Sequence, residues 1–216
     1  MQCLLFDLDG TLVDHFATLT KCYQSITRDL GQPIPSAEDI RAAVGGSMEV
    51  TIRKFLPEEL VEQGAQMWRD YLQAHMLDEV YLYPGAFELL KNLHQQGITL
   101  AVFTNKAGFI ARAVCDHLGI TPFLDTVVGA NDTPWRKPMP EFTKHILDEL
   151  KVERDQTALV GDSPFDIDAA KVCSLPAWCV STGTHSAEQL KNHGADAVYP
   201  DLIALGAAQF EVQLAR

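Results

Sequence analysis

No cysteine pair in this chain has a CxxC spacing, although five cysteines (Cys3, Cys22, Cys115, Cys173 and Cys179) are scattered along its 216 residues. An odd, dispersed set argues against a disulfide framework and for buried free thiols in a reducing compartment. The seven histidines form no HxxxH or Cys–His metal spacing, so no zinc site is expected. No apolar run approaches the roughly 20 residues of a membrane span. Met1-Gln2-Cys3 enters an apolar segment without the basic and apolar regions of a signal peptide, so a cytoplasmic location is expected. Positive charge is scarce: 17 Lys and Arg stand against 29 Asp and Glu, a formal net charge of −12. That balance argues against nucleic acid or an anionic membrane as main partner. It also means that an anionic ligand would need cations placed locally. There is no internal repeat and no low-complexity segment.

At 47% hydrophobic, the chain can bury one substantial core and a smaller second domain. The stretch that organises the rest is Leu4-Leu5-Phe6-Asp7-Leu8-Asp9-Gly10-Thr11-Leu12-Val13-Asp14. Its apolar start suits a short strand buried on both faces, which in an α/β sheet delivers its next residues to the carboxyl edge. Asp7 and Asp9 are one residue apart, and alternate strand positions point the same way. Two anionic groups held together repel, so they need a cation or a shared proton. The alternative is a strand that ends in a solvated acidic turn.

Phe16, Leu19, Tyr23, Ile26 and Leu30 recur at three- and four-residue spacings and predict a helix, ended by Gly31 and the Pro33/Pro35 pair. Ser36 and Asp39 resemble a capping box that opens a short helix through Val44. Gly45-Gly46 breaks it, Met48 to Leu56 reads as another helix, and a longer one runs from about Glu58 to Leu77. Tyr83-Pro84-Gly85 marks a change of character, after which helices and strands alternate. Strands are predicted at 98–103, 126–128, 157–160, 177–180 and 197–199, with helices between them, including ones around 167–172 and 187–192. Such alternation means a parallel sheet covered on both faces. The expected domains are an α/β core, residues 1–14 and 84–216, and an all-helical insert, residues 15–83. An insert placed directly after the acidic turn should sit above the carboxyl edge and cover what binds there.

Polar residues gather where these strands end: Asp7 and Asp9, then Thr104-Asn105-Lys106, then Gly161-Asp162-Ser163 with Asp166, and Lys137 in the loop after the third strand. Singly, each has a plain structural explanation. Thr104 and Asn105 suit a helix cap, the lysines suit the surface, and Asp166 suits an exposed helix face. Together, at the strand ends of one sheet, they outline a site. The runs Asp7-Leu8-Asp9-Gly10-Thr11-Leu12-Val13-Asp14, Thr104-Asn105-Lys106, Lys137-Pro138-Met139-Pro140 and Gly161-Asp162-Ser163-Pro164-Phe165-Asp166 resemble the haloacid-dehalogenase superfamily of aspartyl-phosphate phosphohydrolases. The branch they resemble is the phosphoglycolate-phosphatase-like one with a helical cap, and the match spans nearly the whole chain in order. The fold class this implies is α/β, a Rossmann-like parallel sheet core with an inserted all-helical cap domain.

The resemblance implies a Mg2+-dependent phosphatase acting on a small-molecule phosphate monoester, phosphoglycolate-like, through an aspartyl-phosphate intermediate. A carboxylate is ionised at pH 7, so Asp7 can attack phosphorus without a base to activate it. Mg2+ takes hard oxygen ligands and offsets the repulsion between two anions. Asp7 and Asp162 are the implied carboxylate ligands, and Asp9 contributes its backbone carbonyl. Asp9 then keeps its side chain for proton transfer. Thr104, the Asn105 backbone amide and Lys137 are expected on phosphate oxygens, and Gly10 and Thr11 are also expected to bind the phosphate, Gly10 permitting the tight turn. Lys106 is expected either on phosphate or a substrate carboxylate, or on the surface. Asp166, with Ser163, is expected to hold Lys137 and to belong to the metal's outer shell. In the cap, Gly45, Gly46 and Ser47 resemble a specificity loop, with Arg41, Arg53 and Lys54 flanking it.

Within the superfamily, dehalogenase relatives lack the second acid, and transport ATPases carry an Asp-Lys-Thr-Gly run that is absent here. A β-phosphoglucomutase-like phosphomutase is the alternative. Such relatives carry a histidine a few residues into the first cap helix, whereas positions 17–21 hold none and His15 lies close to the turn. A catalytically silent binding module is the other alternative. A small-molecule phosphate ester is the expected partner, and the expected assembly is a monomer or homodimer. Opening and closing is expected about Val13–His15 and Leu82–Gly85.

Overall fold

The computed structural model describes residues 1–212. Strand β1 (Cys3–Phe6) is the apolar run of the opening stretch, and its four residues are all buried. It lies between β4 (Thr99–Ala107) and β6 (Thr157–Gly161), paired in parallel with both. With β5 (Thr126–Ala130), β7 (Ala177–Val180) and β8 (Ala197–Tyr199) it forms a six-stranded parallel sheet of order β5-β4-β1-β6-β7-β8. From β1 the chain builds outward to β4 and β5, then returns to the other side at β6. That reversal opens a crevice at the carboxyl ends of β1, β4 and β6, where ligands of such sheets bind.

Alternation along β1 splits the core between the two faces. Leu4 and Phe6 join one buried cluster, while Cys3 and Leu5 join another with Phe103, Phe142, Ile146 and Ile167. Helices α5 (Ala86–Gln95), α6 (Gly108–His117), α7 (Pro140–Leu150), α8 (Pro164–Lys171) and α9 (Ala187–His193) connect the strands. Cys3, Cys22, Cys115, Cys173 and Cys179 are free and buried. No helix among the described residues is long and apolar enough to cross a membrane.

Between the first strand and α5 stands a helical segment: α1 (Phe16–Asp29), α2 (Ala37–Ala43), α3 (Met48–Ile52) and α4 (Glu58–His75). The predicted stripe of α1 is buried at Phe16, Leu19, Tyr23 and Ile26, and it packs with Trp68 and Leu72 of α4. The Ser36–Asp39 capping box is formed in both directions. The segment leaves and returns through a short antiparallel ribbon, β2 (Val13–Asp14) with β3 (Tyr81–Leu82), at the places where linkers were expected.

Four details differ from the sequence reading. Helix α3 stops at Ile52 rather than Leu56, because Lys54 and Phe55 donate to carbonyls three residues back and Pro57 follows. Strand β4 runs on to Ala107, with a register shift between Thr104 and Ala107. Such a bulge re-aims side chains beside a site. Helix α8 begins at Pro164, earlier than expected, since proline suits a first helical turn. A further helix, α10 (Leu202–Phe210), follows the last strand. Apart from Gln209 its residues are apolar or glycine, so it shows little of a polar face, but Asp201 caps it through the Ala204 amide at 2.7 Å.

Phe142 is fully buried, and its ring centroid lies 4.5 Å from that of Phe103. Phe142→Ala is expected to destabilise the fold by about 3–5 kcal/mol. Urea unfolding should show a lower midpoint with an unchanged slope.

Candidate active site

Asp7 follows the last residue of β1, and its amide donates to the Val160 carbonyl of β6 at 2.8 Å. Its side chain therefore emerges between the ends of the central strands. Farther along the turn, Gly10 has φ +91, a region open to glycine. A Cβ there would lie 2.6 Å from Asp162 Oδ2, so the turn also needs glycine for space.

Asp7, Asp162 and Asp166 are buried, with one carboxylate oxygen of each within 4.8 Å of the others. Lys137 Nζ, also buried, lies 2.6 Å from Asp166 Oδ1 and 3.0 Å from Asp7 Oδ1. Asp166 Oδ2 accepts from the Ser163 hydroxyl at 2.6 Å and from the amides of Ser163 and Asp162 at 3.0 and 3.2 Å. Asp166 is thus fully used in holding Lys137 and the start of α8. Asp162 accepts from Thr11 Oγ1 at 3.3 Å and from the amide and hydroxyl of Thr184, each at 2.7 Å.

Burial pushes the Asp7 carboxyl up to about 6, with Lys137 working against the rise and Asp166 adding to it. Burial, then Asp166 and Asp7, push Asp162 up to about 8. Burial disfavours the charge on Lys137, but Asp166 and Asp7 outweigh it and hold the ammonium protonated. Asp7 Oδ1 is buried and accepts no well-aligned hydrogen bond, Lys137 lying off its line. Clustered acids and an oxygen still open to a ligand suit a hard divalent cation.

The second acid has different company. Asp9 Oδ2 accepts from Lys106 Nζ at 2.7 Å, and His15 Nδ1 is 3.1 Å from the same ammonium and 3.7 Å from Asp9 Oδ1. Burial would raise Asp9, but Lys106 and His15 outweigh it and hold its carboxyl well below the usual range. Burial and Lys106 lower His15, with Asp9 working against the fall. Lys106 is therefore no surface lysine: its side chain is 4% exposed. His15, too near the turn for a cap-helix histidine, is fully buried beside Asp9. Only its position directly after the acidic run hinted at this.

Above these acids opens a cavity of about 490 Å³ between the sheet edge and the helical segment. Asp7, Asp9, Thr104, Asn105 and Lys106 form its floor, and Gly45, Gly46 and Ser47 part of its roof. Asn105 joins the two sides: its Oδ1 accepts from the Lys137 amide at 2.8 Å, and its Nδ2 donates to the Lys137 and Gly45 carbonyls at 3.1 and 3.2 Å. Trp68 and Arg69 of α4, with Phe109, Trp135 and Arg136, complete the walls, and no sequence motif marked them.

Three expected site residues take other parts. Arg53 does not line the cavity, because the early end of α3 turns its guanidinium onto Glu58 in a two-pronged pair at 3.1 and 3.2 Å. Thr11 is fully buried and spends its hydroxyl on Asp162. The Gly10 amide donates to the Val13 carbonyl, which closes the turn. Gly10 and Thr11 therefore build the site from behind rather than face the cavity. The loop Thr182–Thr184, unmarked by any motif, supplies partners to Gly10 and Asp162.

A family model for haloacid dehalogenase-like hydrolases matches residues 4–180. A phosphoglycolate phosphatase of Rhodospirillum rubrum is 34% identical over 216 residues, 95% of this chain and 89% of the relative. One from Pseudomonas savastanoi pv. phaseolicola is 32% identical over 211 residues, 93% of this chain and 77% of the relative. The fold is similar to that of a haloacid dehalogenase-like family hydrolase from Streptococcus pneumoniae, with TM-score 0.88 and 25% identity. That likeness covers 97% of this chain and 99% of the other.

A carboxyl raised to about 8 keeps a proton in the folded state that the unfolded chain releases near pH 4. Without a divalent cation, this group's contribution to stability therefore falls as pH rises from about 4 to about 8. The rise in melting temperature on adding Mg2+ to chelator-treated protein is expected to be larger at the upper end of that range. Asp162→Asn should remove most of the difference, which thermal unfolding at both pH values checks.

Proposed function

This chain is a phosphatase that belongs to the haloacid dehalogenase-like hydrolase family, and we propose that it hydrolyses a small phosphate monoester through covalent catalysis by Asp7. The observation that carries this reading is the Asp7 carboxylate, seated 3.0 Å from Lys137 Nζ on the floor of a cavity it shares with Asp9. Phosphate entering that floor meets Asp7 on one side, with Thr104 and Asn105 beside it. The ammonium of Lys137 lies between Asp7 and Asp166, where it favours negative charge developing on phosphoryl oxygens. Asp7 and Asp162, with the Asp9 backbone carbonyl, would hold Mg2+, which supplies charge neutralisation for the phosphoryl group.

An oxygen of Asp7 attacks phosphorus, and the ester oxygen departs with a proton from Asp9. Water then attacks the phosphorus of the aspartyl phosphate, losing its proton to Asp9, and the bond to Asp7 breaks to release phosphate. In the geometry described, Lys106 keeps Asp9 ionised, the form the second step needs. For the first step Lys106 must leave Asp9 for the substrate's own negative charge, which lets Asp9 carry a proton. The binding of an anionic ester and the arming of the acid are thereby linked.

We assign residues 15–83 to a cap domain that closes over this floor, turning about the β2–β3 ribbon and excluding water during attack. The named relatives act on phosphoglycolate, and 2-phosphoglycolate is the substrate we propose. Its small size and second anion suit a floor that already offers Lys106.

With p-nitrophenyl phosphate and Mg2+, the wild type should release p-nitrophenol and Asp7→Asn should be inactive. Asp9→Asn should lose about 100- to 10,000-fold in turnover. Equal turnover by Asp7→Asn would overturn the covalent reading. Among phosphate esters, 2-phosphoglycolate should give a higher kcat/KM than glucose 6-phosphate or a nucleotide, as followed by phosphate release. The reverse order would reject the substrate assignment alone.

A further inference from the structure

The loop after β7 belongs to no motif, yet it touches both the acidic turn and the helical segment. Thr182 Oγ1 donates to the Gly10 carbonyl at 2.7 Å, in the turn that follows Asp7. Thr184 holds Asp162 Oδ2 with both its amide and its hydroxyl. The Thr184 hydroxyl has a single proton; given to Asp162, it leaves the oxygen free to accept from His185 Nδ1 at 2.8 Å. Gly183, between the two threonines, passes so close that a Cβ would lie 2.1 Å from Asp162 Oδ2.

The same loop is gripped from outside the sheet. Arg41, on α2 of the helical segment, donates to the Gly183 carbonyl at 3.3 Å. Its guanidinium is stacked 3.9 Å over the Phe16 ring of α1, which restricts where it can reach. Tyr83, beside the returning strand of the ribbon, donates to the Thr182 carbonyl at 3.1 Å. A carbonyl held by the helical segment is thus one residue from the donor pair on Asp162.

We propose that Thr184 is a positioning residue that aims the Asp162 carboxylate at its cation, and that Arg41 seats the Thr182–Thr184 loop, so that closure of the helical segment and cation affinity are coupled. The proposal rests on the reading that Asp162 is a cation ligand. Partners that orient a ligating group set its affinity, and their loss typically costs about 10- to 100-fold. Because coupling is reciprocal, a bound cation should in turn favour the closed helical segment.

Mg2+ binding to the full chain, without substrate, is read by isothermal titration calorimetry. Thr184→Val should bind about 10- to 100-fold more weakly, and Thr184→Ser, which restores the hydroxyl, should bind close to the wild type. Arg41→Ala should weaken binding roughly 5-fold or more. The double variant Arg41→Ala/Thr184→Val should lose no more than Thr184→Val alone, since both act through one loop. Wild-type affinity in Thr184→Val or in Arg41→Ala, or additive losses in the double variant, overturns the proposal. Should Thr184→Val not fold, Arg41→Ala decides the coupling by itself, its side chain lying at the segment's edge. Absence of Mg2+ binding by the wild type would instead overturn the cation reading beneath it.

Discussion

The site rests on an electrostatic imbalance: three buried carboxylates share one buried lysine. Taking an ion out of water costs several kcal/mol unless a partner compensates. Lys137 compensates in part, and the amide and hydroxyl donors around Asp166 and Asp162 add to it. Asp7 and Asp162 nevertheless remain shifted upward. Neighbouring features follow from this imbalance. The parallel sheet brings Asp7 and Asp162 together from the ends of two adjacent strands, the first turn of α8 adds Asp166, and the glycine turn gives Asp162 room. A cation at the cluster would settle the remaining charge.

Asp9 shows how differently a second carboxylate can be set two residues on, in the same cavity. Asp7 and Asp9 are neighbours in a strand-and-turn run, but at Asp7 burial outweighs Lys137, which Asp166 also engages, whereas at Asp9 Lys106 and His15 outweigh burial. Their acidities are pushed in opposite directions, as suits groups with separate tasks. In the proposed reaction, Asp7 is the nucleophile and Asp9 the proton carrier. The bulge in β4 contributes to this split, because it lies where Thr104, Asn105 and Lys106 emerge: Thr104 and Asn105 reach the floor near Asp7, while Lys106 reaches Asp9.

The helical segment does more than roof a cavity. Its Gly45 carbonyl is bonded to Asn105, and Arg41 is bonded to the loop that holds Asp162. Both contacts are single hydrogen bonds to backbone carbonyls, which break at modest cost and re-form. A segment anchored this way, on a two-stranded ribbon, suits the closing motion proposed for it.

Much of the fold was legible in the sequence because the forces behind it are local. Period-2 and helical spacing, the Ser36 capping box and the strand–helix alternation depend on residues close in the chain. The strand-end residues Asp7, Thr104 and Asp162 were readable for the same reason: in a parallel sheet, a strand's end is its functional edge. What the chain order did not disclose depends on distant pairs. Arg53 and Lys106 are both basic residues near turns, yet one meets Glu58 in solvent and the other is buried on Asp9. His15, Thr184 and the cavity's Trp68 and Arg69 gain their significance only from neighbours brought by folding. Sequence spacing by itself determined which backbone edge carries the chemistry, because periodicity is local. Only the tertiary structure decided which charges face each other there, because desolvation and Coulomb energy depend on distance through space.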